Sequence, residues 1–218
     1  MIFLYYEMES LFKKSLECIE MKDIFRNYTQ SQEGIKMKDI FEVIHNRRSV
    51  REYKSEQLKN EEIEKILDAG IMAPTAKAEE PWYFTVIQNK ELLKEINETS
   101  LEIMKNSGDE FLKSIANSRR NILHNAPTVV VVSGNEKASH IQADCSAAIE
   151  NMLLAAEGLD IGSCWIGILA SYFKDEKNIA NLKIPKGYIP LYGISFGYKT
   201  NNNQGNPKRN KNVINWIK

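Results

Sequence analysis

Residues 139–158 read SHIQADCSAAIENMLLAAEG, and this stretch decides the fold. Ala143, Ala147, Ala148, Met152, Leu153, Ala155 and Ala156 fall on most sides of a helical wheel, which predicts a helix buried nearly all round. A chain of 218 residues builds one core of ordinary size. The second surface of such a helix is therefore expected to meet a partner subunit. Upstream, Thr128-Val129-Val130-Val131-Val132 predicts a buried strand. Downstream, residues 161–168, with Gly162 and Gly167, predict a short strand and a turn.

The same reading extends outward. Trp82-Tyr83-Phe84-Thr85-Val86-Ile87 is aromatic and β-branched and predicts a strand, and residues 188–198 predict the last one. Helices are expected over residues 90–105, 110–117 and 173–182. Ile40, Phe41 and Ile44 form the apolar face of a short helix running into Arg47. A further helix, with Asn60 as its N-cap, carries Ile63, Ile66, Leu67, Gly70 and Ile71 on one face and is stopped by Pro74. This order of elements gives an α+β protein. Residues 1–36 read as an N-terminal helical extension ahead of a domain spanning residues 37–218. Met21-Lys22-Asp23-Ile24-Phe25 reappears as Met37-Lys38-Asp39-Ile40-Phe41, an echo too short to signal a repeat architecture.

Charge and composition exclude several function classes. Lys and Arg total 29, as do Asp and Glu, so no net field favours nucleic acid or an anionic membrane. No run approaches the roughly 20 apolar residues of a membrane span. The apolar start is short and meets Glu7 and Glu9 at once, a poor signal peptide. Cys18, Cys145 and Cys164 are odd in number and lack C-x-x-C spacing, as expected of reduced cytoplasmic thiols without zinc or disulfides. His45, His124 and His140 are scattered and read as structural or surface residues. There is no metal-ligand pattern and no nucleophile triad. No G-x-G-x-x-G follows a strand, so a separate nicotinamide site of Rossmann type is not expected.

Three stretches carry chemistry, and each has two readings. Arg47-Arg48-Ser49-Val50-Arg51 offers three guanidiniums and a hydroxyl, enough to hold a phosphate through charge-assisted bonds; the plainer reading is a solvated basic turn. Residues 73–82, Ala73-Pro74-Thr75-Ala76-Lys77-Ala78-Glu79-Glu80-Pro81-Trp82, make a stiff loop with prolines at both ends, suited either to positioning polar groups or to joining a helix to a core strand. Residues 158–167 end in Ile166-Gly167, where glycine permits close approach of a flat ligand or simply allows a tight turn.

In their order and spacing these stretches resemble the nitroreductase family of flavoproteins, from about Met37 to Arg209. Phe41-Glu42-Val43-Ile44 through Arg51 is similar to the family's first helix and R-R-S-x-R signature. Residues 74–82 sit where the family has a P-S-x-x-N-x-Q-P-W loop. Residues 155–167 resemble its interface helix and following strand, and Gly193 to Gly197 with Pro207-Lys208-Arg209 its last strand and basic tail. The resemblance implies a central, mostly antiparallel sheet flanked by helices in an intertwined homodimer, with FMN held at the interface. By position, Arg47 and Ser49, assisted by Arg48, would hold the phosphate, joined by Lys208 or Arg209. Arg51 would stand near the N1–O2 edge of the isoalloxazine, where two-electron reduction places negative charge. Pro74, Thr75, Lys77, Ala78 and Glu80 would line the ring, and the backbone of Ile166 and Gly167 would approach N5. The implied reaction is ping-pong: NAD(P)H and then a nitroaromatic, quinone or similar small acceptor visit one face of the flavin.

Two departures bear on this. The family's loop asparagine falls on Ala78 and its glutamine on Glu80. Alanine offers no side-chain hydrogen bond, and a carboxylate accepts from N3–H but repels the ring carbonyls. Weaker flavin binding, a changed potential or replacement contacts from Lys77 are expected. The alternatives that keep the resemblance are a reductive dehalogenase or flavin-modifying relative, or a flavin-binding dimer without enzymatic activity.

Overall fold

The computed structural model describes residues 39–119, 121–201, 205 and 207–218. The expected extension, residues 1–36, lies outside the described residues. Four strands form one sheet in the order β1-β2-β4-β3: β1 Trp82–Ile87, β2 Thr128–Asn135, β3 Ile161–Ile166 and β4 Tyr188–Tyr198. Every pairing is antiparallel. The helices are α1 Ile40–Asn46, α2 Asn60–Ile71, α3 Lys90–Lys105, α4 Glu110–Ser118, α5 Ile141–Gly158 and α6 Glu176–Ala180. The expected α+β class and antiparallel sheet are both present.

The valine run explains the layering. Strand β2 is flanked by β1 and β4, and both of its faces are covered, so neither needs to be polar. Val130 and Val132 join Ile194 and Phe196 in a cluster with Ile63 and Ile66 of α2 and Ile149, Met152 and Leu153 of α5. Val129 and Val131 point the other way, into a cluster with Leu93, Ile96 and Met104 of α3, Ala116 of α4, and Leu169 and Tyr172. Each such aliphatic side chain, fully buried, contributes about 1.5–3 kcal/mol.

Helix α5 buries one side and leaves the other open within the chain. Asp144, Cys145, Ala148, Ile149, Met152, Leu153, Ala156 and Glu157 are buried. Gln142, Ala143 and Glu150 are exposed, and Ala147, Leu154 and Ala155 are partly so. The expected all-round burial is thus not met by a single chain.

Several local expectations are corrected. Ile40, Phe41 and Ile44 of α1 face outward, at 54%, 68% and 49% exposure, and Val43 is the buried residue. Lys59, not Asn60, occupies the cap of α2, where its N–H donates to the Glu62 carboxylate at 3.0 Å. The helix expected over residues 173–182 is instead a 3₁₀ helix, Gly167–Lys174, followed by the short α6. Asp175 separates the two because its carboxylate accepts from the Lys177 N–H and starts a new helix.

Candidate functional site

The arginine segment is fixed by the strands beneath it. After α1 the chain becomes extended, with the Val50 N–H donating to the Ser163 carbonyl and the Lys54 N–H to the Tyr198 carbonyl, each at 2.9 Å. Val50 and Tyr53 are buried and sit over Gly162 and Gly197, which are cross-strand partners in β3 and β4. A Cβ on Gly162 would come within 2.8 Å of Val50, and one on Gly197 within 2.9 Å of Tyr53. The paired glycines therefore provide a bare floor. The Tyr53 hydroxyl locks the seat by donating to the Val50 carbonyl at 2.7 Å and pairing with Ser195 Oγ at 2.9 Å.

With Val50 turned inward, its neighbours line a cavity of about 450 Å³ formed by Arg47, Arg48, Ser49, Arg51, Gly205, Pro207 and Arg209. The tail thus brings Arg209 to the arginine turn, while Lys208 does not line this cavity. Arg48 acts as a brace: its Nη1 donates to the carbonyls of His45 and Arg47 at 2.6 and 2.8 Å, and its Nε to the Gly205 carbonyl at 3.1 Å. Arg47 lies 3.9 Å from Glu150 of α5, and Arg51 Nη1 donates to the Ser49 carbonyl at 3.4 Å. A cavity carrying four guanidiniums and a hydroxyl has the chemistry of a phosphate site.

The field of these cations reaches β3. Burial pushes the Cys164 thiol up, while Arg51, the Ser49 side chain, Arg119 and Arg47 act against that shift. Arg119, in the connection after α4, is a cation that the motif reading missed; its place in the pair Arg119-Arg120 was the available signal.

His124 shares this field. Burial, then Arg119 and Arg51, hold its imidazole down at about 4, against an ordinary 6.5. The folded protein keeps His124 neutral where the unfolded chain protonates it, so this contribution is full above about pH 6.5 and is lost as pH falls towards 4. His124→Asn removes the titration and suits the left-handed backbone there (φ 58°). Thermal midpoints measured from pH 7 to 4 are expected to fall less steeply in the variant; equal slopes would refute the assignment.

The Pro74–Glu80 loop lies elsewhere on the chain. None of Pro74, Thr75, Lys77, Ala78 and Glu80 lines the arginine cavity. Lys77, Ala78 and Glu80 have left-handed backbones, with φ of 55°, 53° and 42°. The loop is tied to α5 by Asp144, whose Oδ2 accepts from the Thr75 hydroxyl at 2.9 Å and the Ala76 N–H at 3.1 Å. The Glu79 carboxylate accepts from the Ser139 N–H and hydroxyl at 2.7 and 3.0 Å, which holds its carboxyl below the ordinary range. Neither Asp144 nor Glu79 was legible as a site residue.

Ile166 is buried at the end of β3, and Gly167 is exposed at the start of the 3₁₀ helix. A Cβ on Gly167 would touch nothing. Packing within the chain therefore does not require glycine there, and the backbone faces open space.

An antiparallel sheet layered with helices carries a guanidinium-lined cavity at the end of α1, and this α+β arrangement is that of the nitroreductase fold. The chain belongs to the nitroreductase family, whose model matches residues 44–198. It is 36% identical over 170 residues to an Archaeoglobus fulgidus protein provisionally named an NADH dehydrogenase/NAD(P)H nitroreductase, a match covering 74% of this chain and 86% of that one. A nitroreductase with bound FMN from Bacteroides fragilis superposes with a TM-score of 0.76 at 32% identity, covering 83% of this chain and all of the other. Mouse iodotyrosine deiodinase 1 is 28% identical over 147 residues, which is 59% of this chain and 52% of the deiodinase. Among the described residues no helix is long and apolar enough to cross a membrane.

Proposed function

We propose that two copies of this chain form a cytoplasmic homodimer that binds FMN non-covalently and transfers electrons from NAD(P)H to a nitroaromatic, quinone or similar small acceptor. The guanidinium-lined cavity carries this reading. Arg47, Ser49 and Arg209 hold the phosphate, with Lys208 adding charge from the tail and Arg48 fixing the cavity wall. Arg51 is assigned to the N1–O2 edge, and the backbone of Ile166-Gly167 to the neighbourhood of N5. Flavin, when bound, supplies the two-electron chemistry; the chain supplies positioning and a fixed positive field. Donor and acceptor occupy the same cleft in turn.

The dimer reading rests on surfaces that a single chain leaves uncovered. Phe41 and Ile44 of α1, the open side of α5, and Trp216 and Ile217 of the tail, at 77% and 94% exposure, are apolar groups that a second copy would bury. Because the Pro74–Glu80 loop does not line the arginine cavity of its own chain, the loop of the second copy is assigned to complete the site. Buried free Cys145 and Cys164 thiols fit a reducing compartment.

Protein reconstituted with FMN is expected to oxidise NADH or NADPH steadily when menadione or nitrofurazone is present. No turnover with either donor would overturn the proposal. The likeness to iodotyrosine deiodinase supports a second reading, reductive dehalogenation, in which NAD(P)H supplies two electrons and solvent a proton to replace iodine by hydrogen; anaerobic, NAD(P)H-dependent release of iodide from an iodinated phenol would establish it in place of the first.

A further inference from the structure

We propose that Asp144 is a positioning residue for the cofactor site, acting through Thr75 to hold the Thr75–Glu80 loop in the pose that receives the flavin ring. The inference rests on the proposed function, which assigns this loop to the ring.

The loop adopts a conformation that its residues do not favour. Three of the four residues from Lys77 to Glu80 have positive φ, and none is glycine. Residues 77–80 are also exposed, so burial of their side chains does not hold them. Backbone strain of this kind persists only where the surroundings over-determine it. The surroundings here are hydrogen bonds to α5 and its leading turn. One Asp144 oxygen takes both the Thr75 hydroxyl and the Ala76 N–H. Thr75 Oγ1 then accepts from the Glu80 N–H at 3.0 Å, closing the loop on itself. Glu79 ties the far end to Ser139.

Asp144 is unusual for an aspartate. It is 6% exposed in a helix whose other buried carboxylate, Glu157, pairs with Lys199 at 2.7 Å, whereas among the described residues no cation stands within ion-pair distance of Asp144. A buried carboxylate is costly unless hydrogen-bonded, and the donors it has found are those of the loop. Its place in the first turn of α5 favours negative charge through the helix dipole.

The sequence of the loop makes this anchor more consequential. Ala78 brings no polar side chain, and Glu80 brings a carboxylate that ring carbonyls repel. Beyond what the Glu80 carboxylate can accept from N3–H, the loop is left with its main chain and Lys77 to offer a flavin. Main-chain groups contact a ligand well only if the backbone is held in place, and the Asp144–Thr75 pair holds it.

The test uses the full chain with Thr75→Val, Thr75→Ser and Asp144→Asn. Amide hydrogen exchange at Ala76 and Glu80 is measured without flavin; the FMN dissociation constant and the visible circular dichroism of bound flavin are measured with it. Thr75→Val is expected to speed exchange at Glu80, raise the FMN dissociation constant about tenfold, the scale of a lost charge-assisted bond, and weaken the flavin dichroic band. Asp144→Asn should do the same and also speed exchange at Ala76. Thr75→Ser keeps the hydroxyl and should restore both readings to within about twofold of the parent. A Thr75→Val protein that melts earlier yet keeps its FMN affinity and dichroic band overturns the proposal, since the pair would then serve stability alone. Should Asp144→Asn fail to fold, the Thr75 pair of variants still decides. A parent protein that binds no FMN removes the underlying functional reading; a parent that binds it, with Thr75→Val unaffected, removes only this inference.

Discussion

Arg47→Ala is expected to weaken FMN binding by about 1.5–3 kcal/mol, roughly a 10- to 150-fold rise in the dissociation constant. Arg47 is half-buried and lines the cavity with Arg51 and Arg209, so on the proposed assignment its loss takes one charge-assisted contact from the phosphate. Its other interaction is slight. The Arg47–Glu150 pair is 3.9 Å apart with the glutamate half exposed, a class of ion pair worth about 0–1 kcal/mol. The thermal midpoint of flavin-free protein should therefore hardly move. Fluorescence titration of FMN at two salt concentrations checks the assignment, and an unchanged dissociation constant would show that phosphate binds elsewhere. Arg48→Ala should behave differently. Its guanidinium holds the His45, Arg47 and Gly205 carbonyls, so its removal loosens the turn and the tail together.

Ala147→Glu is expected to convert the proposed dimer to a monomer. Ala147 lies on the open side of α5, in line with Ala143 and Leu154, where the two alanines leave room for another helix to approach. A carboxylate placed there would be buried without a partner, at a cost of about 3–5 kcal/mol per buried charge, and a dimer buries two. That raises the dimer dissociation constant by at least a hundredfold. Ala148→Glu is the contrasting variant: Ala148 is fully buried within its own chain, so the same change one residue on should abolish folding rather than assembly. Sedimentation velocity with circular dichroism separates the outcomes. An intact Ala147→Glu dimer would move the interface away from α5.

The sheet was largely legible because its signals are local. Residues 82–87 and 188–198 are aromatic and β-branched runs, and both are strands over those spans. Helix α3 matches residues 90–105 because Asn89 caps it, accepting from the Leu92 N–H at 2.8 Å. Periodicity misled where it could not say which neighbour covers an apolar side. Ile40, Phe41 and Ile44 have helical spacing but face away from the core of their own chain. Around residue 175 the apolar pattern concealed a cap, and one expected helix became two pieces. At the candidate site, Arg47, Arg48, Ser49 and Arg51 stood out as four polar groups within five residues, and the structure brings them to one cavity with Arg209. Asp144 was hidden for the opposite reason: one of three carboxylates in an alanine-rich helix, it acquires meaning only when folding sets it beside Thr75, 69 positions away in the chain.

The seating of Val50 and Tyr53 over Gly162 and Gly197 has a consequence for how such a protein can be altered. A single methyl group added at either glycine would act as a wedge, tilting the arginine turn without touching anything bound there. On the proposed assignment, ligand affinity would therefore depend on two glycines that lie beneath the arginine turn and not in the cavity lining. Attempts to retune the pocket by redesigning its rim must leave that hidden footing alone.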